Sequence, residues 1–402
     1  MKKIWIYVAC GLVLSLAFSS CKKNKDEAED ATDAEVMLKS AMTPYVNNTV
    51  IDTYKGMANY AILLADDVKA ILEESNKNAS SSNTELIEKA MDDWKKSRVY
   101  WEQSEAFLYG PADKMGIDPH IDSWPFAESN FLALIANDEE MSAYRQKLVE
   151  NVELDEEEYG MFGFHALEYM LFKDGKAHKV GDFTNNQWVF MNIVANDLRN
   201  QTILLEACWA GFNNVSDAKQ NVLTEAGLKD RCVNNYPNGF GDYMINPDEG
   251  RVFVNYVDAA IEIIEGCIDI ANEVGNTKIG TAALVNSEDY DANYIESPYS
   301  LNSLTDFEDN IHSIEHAYFG SKSGDASVHD YVASVNADVD SKLKSALDAA
   351  VASIKAIPAP FRDHANSEES RTAVTVCGTD LVKALQAVHT VLAGNEYVLE
   401  ED

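Results

Sequence analysis

His165 and Glu168 stand three residues apart in the apolar stretch 161–172, MFGFHALEYMLF, within the hexapeptide GFHALE. On a helix, residues three apart are neighbours on one face. An imidazole nitrogen and a carboxylate oxygen would then project side by side. That pair suits zinc or iron, and it equally suits a metal-free acid/base or hydrogen-bonded pair. Taken alone, it is best read as a buried polar pair bracing an apolar helix, because a buried charge needs a partner. Gly163 leaves room for another backbone or a ligand to approach the same helix.

Two ligands do not complete a metal site, since zinc takes three protein ligands in catalytic sites and four in structural ones. The best suppliers lie upstream. Glu102 and Glu105 fall in RVYWEQSEAFLYGP (98–111), and Asp122 falls in IDPHIDSWP (117–125). Glu102 follows Arg98 by four, so an ordinary intrahelical ion pair is its competing reading. Trp94, Arg98, Trp101 and Glu105 share a stripe, which makes Glu105 the better choice for a buried role. Asp122 is either a ligand or the brace of its own turn. Ser123 and Trp124 would line the site, although Trp124-Pro125 also suits packing at a loop-to-helix junction.

A second cluster, His312-Ser313-Ile314-Glu315-His316, spells HxxEH. On a helix its histidines face one side, as in inverted zincins, where the glutamate serves as base. None of the other zincin context accompanies it. The preferred reading makes His312, Glu315 and His316 a lining opposite His165, with Asp306, Asp309 and Asn310 as further contributors.

These segments together resemble the imelysin family, also described as the insulin-cleaving metallopeptidase family, whose hallmark is GxHxxE. The two upstream segments, the hexapeptide and TDFEDNIHSIEHAYFG (305–320) occur in the family's order and span most of the chain. The resemblance implies two helical bundles, related by an old duplication, with a cleft between them. It implies two competing functions. One is capture of iron or an iron complex, with His165, Glu168, Glu102, Glu105 and Asp122 as metal ligands and Gly163, Arg98, Trp101, Ser123, Trp124, Asp309, His312, Glu315 and His316 as ligand-binding neighbours. The other is a zinc-dependent peptidase with Glu168 or Glu105 as base. A HExxH peptidase carries two histidines and a glutamate on one helix, whereas GxHxxE has one of each, so the chemistry leans towards binding. A metal-free ligand-binding or structural protein is the third reading, and whether the chain is an enzyme stays open.

The formal net charge of −35 argues against nucleic acid as a partner, since phosphate binding needs a basic surface. Lys2 and Lys3 precede an apolar run from Ile4 to Phe18, and Ser19-Ser20 then precede Cys21. That order reads as a lipoprotein signal, 1–20, with lipidation at Cys21. An acidic tether, 21–34, follows. The expected location is the cell envelope, held by lipid to the outer membrane on its periplasmic or surface side, with iron-uptake proteins as partners. No GxSxG, Walker or dinucleotide motif is present. Cys208, Cys232, Cys267 and Cys377 form no CxxC pair, and either disulfides or buried free thiols would fit them.

The elements that must position these residues read as all-α. Helical spacing covers 36–75 (broken or kinked at Pro44), the segment from Glu85 to about Gly110, 126–152, 161–172, 185–212, 252–274, 305–318, 329–357 and 370–393. The stretch 112–125 reads as a structured loop. Little period-two alternation predicts little strand. A division into bundles 35–218 and 219–402 is expected.

Overall fold

The computed structural model describes residues 33–152 and 154–394. The signal segment 1–20, Cys21 and the tether as far as residue 32 lie outside the described residues. Asp33 and Ala34, expected in the tether, open the first helix instead, α1 (Asp33–Pro44).

The architecture is all-α. Pro44 ends α1, and a π-helical turn, Tyr45–Ile51, leads into α2 (Asp52–Lys77). A proline lacks the N–H that would continue the ladder, and the change from α- to π-helical geometry falls at Pro44. α2 packs against α3 (Glu85–Glu102) and against α6 (Asn185–Ala210). A Thr184/Gln187 capping box starts α6, and Gly211 at φ +90° lets the chain leave it. Between α3 and α6 lie α4 (Ile117–Asp122) and α5 (Gly163–Leu171), which carries the hexapeptide. Later come α7 (Tyr256–Asn272), α8 (Ser303–Phe319), α9 (Ala337–Ala356) and α10 (Val382–Leu392). α8 packs on α3, α7 and α9, which joins late sequence to early sequence at the centre of the fold.

Several expected helices are broken. The run 126–152 is two helices, Glu128–Ile135 and Asp138–Val149, because Asn137 accepts from the Glu139 and Glu140 amides and starts a new helix. Asn336 does the same at Val339 and divides 329–357. The stretch 112–125 is not all loop: it includes α4 and the short helix Pro111–Lys114. α7 and α10 adjoin π-helical turns, Glu273–Ile279 and Val376–Leu381. The described strands form one two-residue hairpin, Phe172–Lys173 with Lys176–Ala177. Cys208, Cys232, Cys267 and Cys377 are all buried, and Cys208 and Cys232 lie close together. Among the described residues no helix is long and apolar enough to cross a membrane.

α3 shows how the core reaches a polar centre. Ile87, Ala90, Met91, Trp94, Arg98 and Trp101 are buried on one stripe, and Arg98 takes a place that the pattern gives to an apolar residue. Trp94 and Trp101 are wholly buried; each stabilises by about 1.5–3 kcal/mol through area removed from water. That packing holds Arg98, which is itself fully buried.

Candidate functional site

Arg98 is the hub of a buried ionic cluster. Its guanidinium pairs with Asp122, with Glu102 at 2.5 Å and with Glu296 at 2.6 Å, and its Nε lies 3.8 Å from Asp306. Asp122 also accepts from Trp101 Nε1 at 2.6 Å. Asp306 accepts from Ser297 Oγ at 2.5 Å and from Asn302 Nδ2 at 2.6 Å. Asn310 donates to Glu102 Oε2 at 2.6 Å. The ion pair expected between Arg98 and Glu102 therefore forms, but as one arm of a larger network. Lys278 adds a second cation. Its Nζ lies 3.4 Å from Glu296, 3.6 Å from Glu102 and 3.8 Å from Glu105.

The hexapeptide helix enters from the other side. Gly163 has φ +65°, and a Cβ there would lie 2.1 Å from the carbonyl oxygen of Ile121. Only glycine accepts both the left-handed backbone and this approach. The contact presses α5 against α4 and sets His165 beside Asp122, the next residue after Ile121. His165 Nε2 is 3.2 Å from Asp122 Oδ1 and its Nδ1 is 3.4 Å from Glu168 Oε2. Glu168 is fixed in turn, since its Oε1 accepts from the amides of Tyr299 (3.0 Å) and Ser300 (2.8 Å) and from Ser300 Oγ (2.7 Å). Trp124 lies over the imidazole, 4.7 Å between ring centres.

The charges tune one another. Burial opposes a charged His165, yet Asp122 and Glu168 on its two sides raise it to about 9. Burial also opposes a charged Asp122, but Arg98 and His165 hold it below the usual carboxylate range. Burial pushes Glu102 and Glu105 well up against the pull of Lys278, with Arg98 also drawing on Glu102. Asp306 is raised to about 7, chiefly by burial. Glu102, Glu105, Asp122, Glu168, Glu296 and Asp306 all have side chains at least nine-tenths buried and face only Arg98, Lys278 and His165 as cations in the cluster. Carboxyl groups thus outnumber cations, and burial favours the protonated form of Glu102, Glu105 and Asp306.

Donor atoms converge in two sets, Asp122/His165/Glu296 and Glu102/Glu105/Asp122, each within 4.8 Å. His165 Nε2 is buried, faces Asp122 Oδ1 at 3.2 Å, and makes no well-formed hydrogen bond to any described residue. An imidazole fixed through one nitrogen by a carboxylate, with the other nitrogen left over among carboxylates, is the arrangement of metal-bound histidines. Nitrogen and oxygen donors suit iron and zinc. The donor set fits such an ion, while Arg98 already neutralises part of it.

The other expected residues scatter. Ser123 is half-buried and donates to Pro119 O at 2.7 Å. Glu105 sits not on α3 but in a 3₁₀ turn, Glu105–Phe107, after the helix has ended at Glu102. Asp309 accepts from Gln103 Nε2 at 2.7 Å. His312 pairs with Glu315 at 2.6 Å and with Glu308 at 3.3 Å, so the first histidine and the glutamate of HxxEH engage each other on a part-exposed stretch of α8. Near them, His316 is pushed below its usual value by burial and by His312. Elsewhere, a groove of about 300 Å³ is lined by Asn196, Asp197, Arg199 and Glu225, none of them in the cluster.

Glu296, Lys278 and the Tyr299–Ser300 amides were absent from the sequence expectation. Glu296, Tyr299 and Ser300 belong to the segment before α8, where no periodicity marks a role. Lys278 had a signal, as the one basic residue in the small and apolar run VGNTKIGTAALV (274–285).

The Imelysin (Peptidase_M75) family model matches residues 56–388. The chain is 24% identical over 382 residues to iron-regulated protein A of Synechococcus elongatus, covering 94% of this chain and 90% of that one. A crystal structure named for an iron-regulated protein A precursor of Parabacteroides distasonis ATCC 8503 superimposes with TM-score 0.72 at 26% identity, over 90% of this chain and 96% of that one. An imelysin-like protein from Psychrobacter arcticum 273-4 shares the fold at TM-score 0.60 and 14% identity, over 91% and 98%.

Proposed function

The chain belongs to the imelysin family, and from that premise we propose that it binds iron, as an ion or a complex, at the centre built around His165. One observation carries the reading. His165 Nε2 is buried against carboxylate oxygen, 3.2 Å from Asp122 Oδ1, within a set of three donors no more than 4.8 Å apart. An added cation would take the place of the protons that burial keeps on Glu102 and Glu105. The name of the Synechococcus relative connects that protein to iron, which favours iron over zinc as cargo.

In this reading His165, Asp122 and Glu296 hold the ion, with Glu102 and Glu105 beside them. Glu168 is a positioning residue: its carboxylate orients the imidazole and is itself held by Tyr299 and Ser300. Arg98 keeps the carboxylates gathered. The same geometry speaks against Glu168 as the base of a peptide hydrolysis. A general base needs a carboxylate free to take a proton, and Glu168 already serves three donors on Oε1 and His165 on Oε2. The HxxEH residues and Asp309 stand outside the centre in this account. Export as a lipoprotein, anchored at Cys21 to the outer membrane, completes the proposal and rests on the sequence of the first 21 residues.

Elemental analysis of the iron-reconstituted protein and of His165→Ala tests it. Stoichiometric iron in the parent, lost in a variant with unchanged helix content, is expected. Equal iron in both would overturn the assignment.

A further inference from the structure

Two cations serve the cluster, and they are held differently. Arg98 makes close, directed contacts, 2.5 Å to Glu102 and 2.6 Å to Glu296, and also pairs with Asp122. Its planar fork is matched to the carboxylates. The Lys278 ammonium is fully enclosed, only 4% exposed, yet its nearest carboxylates stand at 3.4, 3.6 and 3.8 Å. Charge-assisted hydrogen bonds are ordinarily about 2.7–2.9 Å. Lys278 is therefore suspended among Glu102, Glu105 and Glu296 rather than bonded tightly to any. Those three carboxylates span both sets of converging donors.

We propose that Lys278 is a tethered cation: it occupies the carboxylate cluster while the protein is metal-free and withdraws when a metal ion enters. This rests on the reading of the centre as a metal site and adds what the centre does when no metal is present.

The chain around Lys278 suits such a movement. Lysine is a compact charge on a flexible four-carbon stem, whereas arginine is a rigid fork. Lys278 lies on the π-helical turn Glu273–Ile279, an irregularity frequent at functional sites. The turn itself is anchored: a Cβ on Gly275 would lie 2.3 Å from the amide nitrogen of Gly378, on the facing turn Val376–Leu381. The backbone is thereby held while the side chain keeps its reach. Glu273, exposed at the start of the same turn, attracts the ammonium and offers it a place nearer to solvent. Cations a few ångströms apart in a buried site repel; Arg98 is fixed by its close contacts with Asp122, Glu102 and Glu296, so the loosely held Lys278 ammonium is the one that yields to a metal ion.

Titration of the purified full chain with ferrous iron and, separately, zinc ions, by calorimetry, tests the proposal in parent and Lys278→Met. Removing the resident competitor should raise affinity at least tenfold. Thermal unfolding should show the metal-free variant melting below the parent and gaining more from added metal. Equal or weaker affinity in Lys278→Met, with the parent binding, would make Lys278 a fixed brace and overturn this inference while the metal reading stands. Binding by neither protein would overturn the metal reading and this inference with it. Amine-reactive labelling of the parent read by mass spectrometry gives a second readout that needs no variant. Lys278 should be protected without metal and labelled faster with zinc. Protection unchanged in zinc-saturated protein would refute the withdrawal.

Discussion

Replacing Gly163 with alanine separates two costs that the hexapeptide glycine avoids. At φ +65° an L-residue is strained, by about 1–2 kcal/mol. The added Cβ would also meet the Ile121 carbonyl oxygen at 2.1 Å. That is a backbone atom of α4 and cannot rotate away. Either α5 or α4 must shift, an overpacking cost of about 1–3 kcal/mol. Gly163→Ala should therefore lose about 2–5 kcal/mol, the sum of the two ranges. Gly116 supplies the control. It has φ +62° at the start of the same α4, and a Cβ there would meet nothing within 4 Å. Gly116→Ala should lose only the conformational part, about 1–2 kcal/mol. Both variants lose the same unfolded-chain entropy, so the difference reports the contact. Denaturant unfolding with unchanged m-values is the assay. Equal losses would refute the claim that close approach of α5 to α4, rather than backbone conformation alone, demands glycine at 163.

Arg98→Met should destabilise the metal-free protein by about 3–5 kcal/mol at neutral pH, because buried carboxylates lose their main partner. The loss should shrink as pH falls and those carboxylates take up protons, which unfolding measured across pH will show. His165 titrates near 9 in the folded metal-free protein against an ordinary 6.5. Its contribution is fully present below 6.5 and is lost as pH rises through 9, about 3 kcal/mol in all. The stability difference between parent and His165→Gln should narrow by that order from pH 6 to pH 10. Glu168→Gln keeps a carbonyl oxygen for the Tyr299 and Ser300 amides but removes the charge beside the imidazole. The fold should survive, and the His165 titration followed by NMR should fall towards its ordinary value. An unmoved titration would show that Glu168 does not set the state of His165.

What the sequence disclosed follows the range of each interaction. Helical periodicity is local, and it locates the long helices and the face joining His165 to Glu168. Helix breaks are local too, but they depend on single caps: Asn137 and Asn336 each interrupt a run whose apolar spacing continues past them. The hexapeptide and its companion segments identify the family, and the comparisons agree. The wiring of the cluster was not legible. Arg98 meets Glu296 across 198 residues of sequence, and Glu168 meets Ser300 across 132. Pairings at such separation leave no periodic trace, and an acidic chain offers many alternatives for each cation. The HxxEH motif shows the converse: its spacing allows a zinc site or a lining opposite His165, yet His312 is held by Glu308 and Glu315 within α8.

The most direct test of the metal centre is anomalous diffraction at the iron edge from crystals of the iron-loaded protein. The account predicts one strong peak within bonding distance of His165 Nε2 and carboxylate oxygens of Asp122 and Glu296. A peak at His312 and Glu315, or in the groove lined by Asp197 and Glu225, with none beside His165, would contradict it.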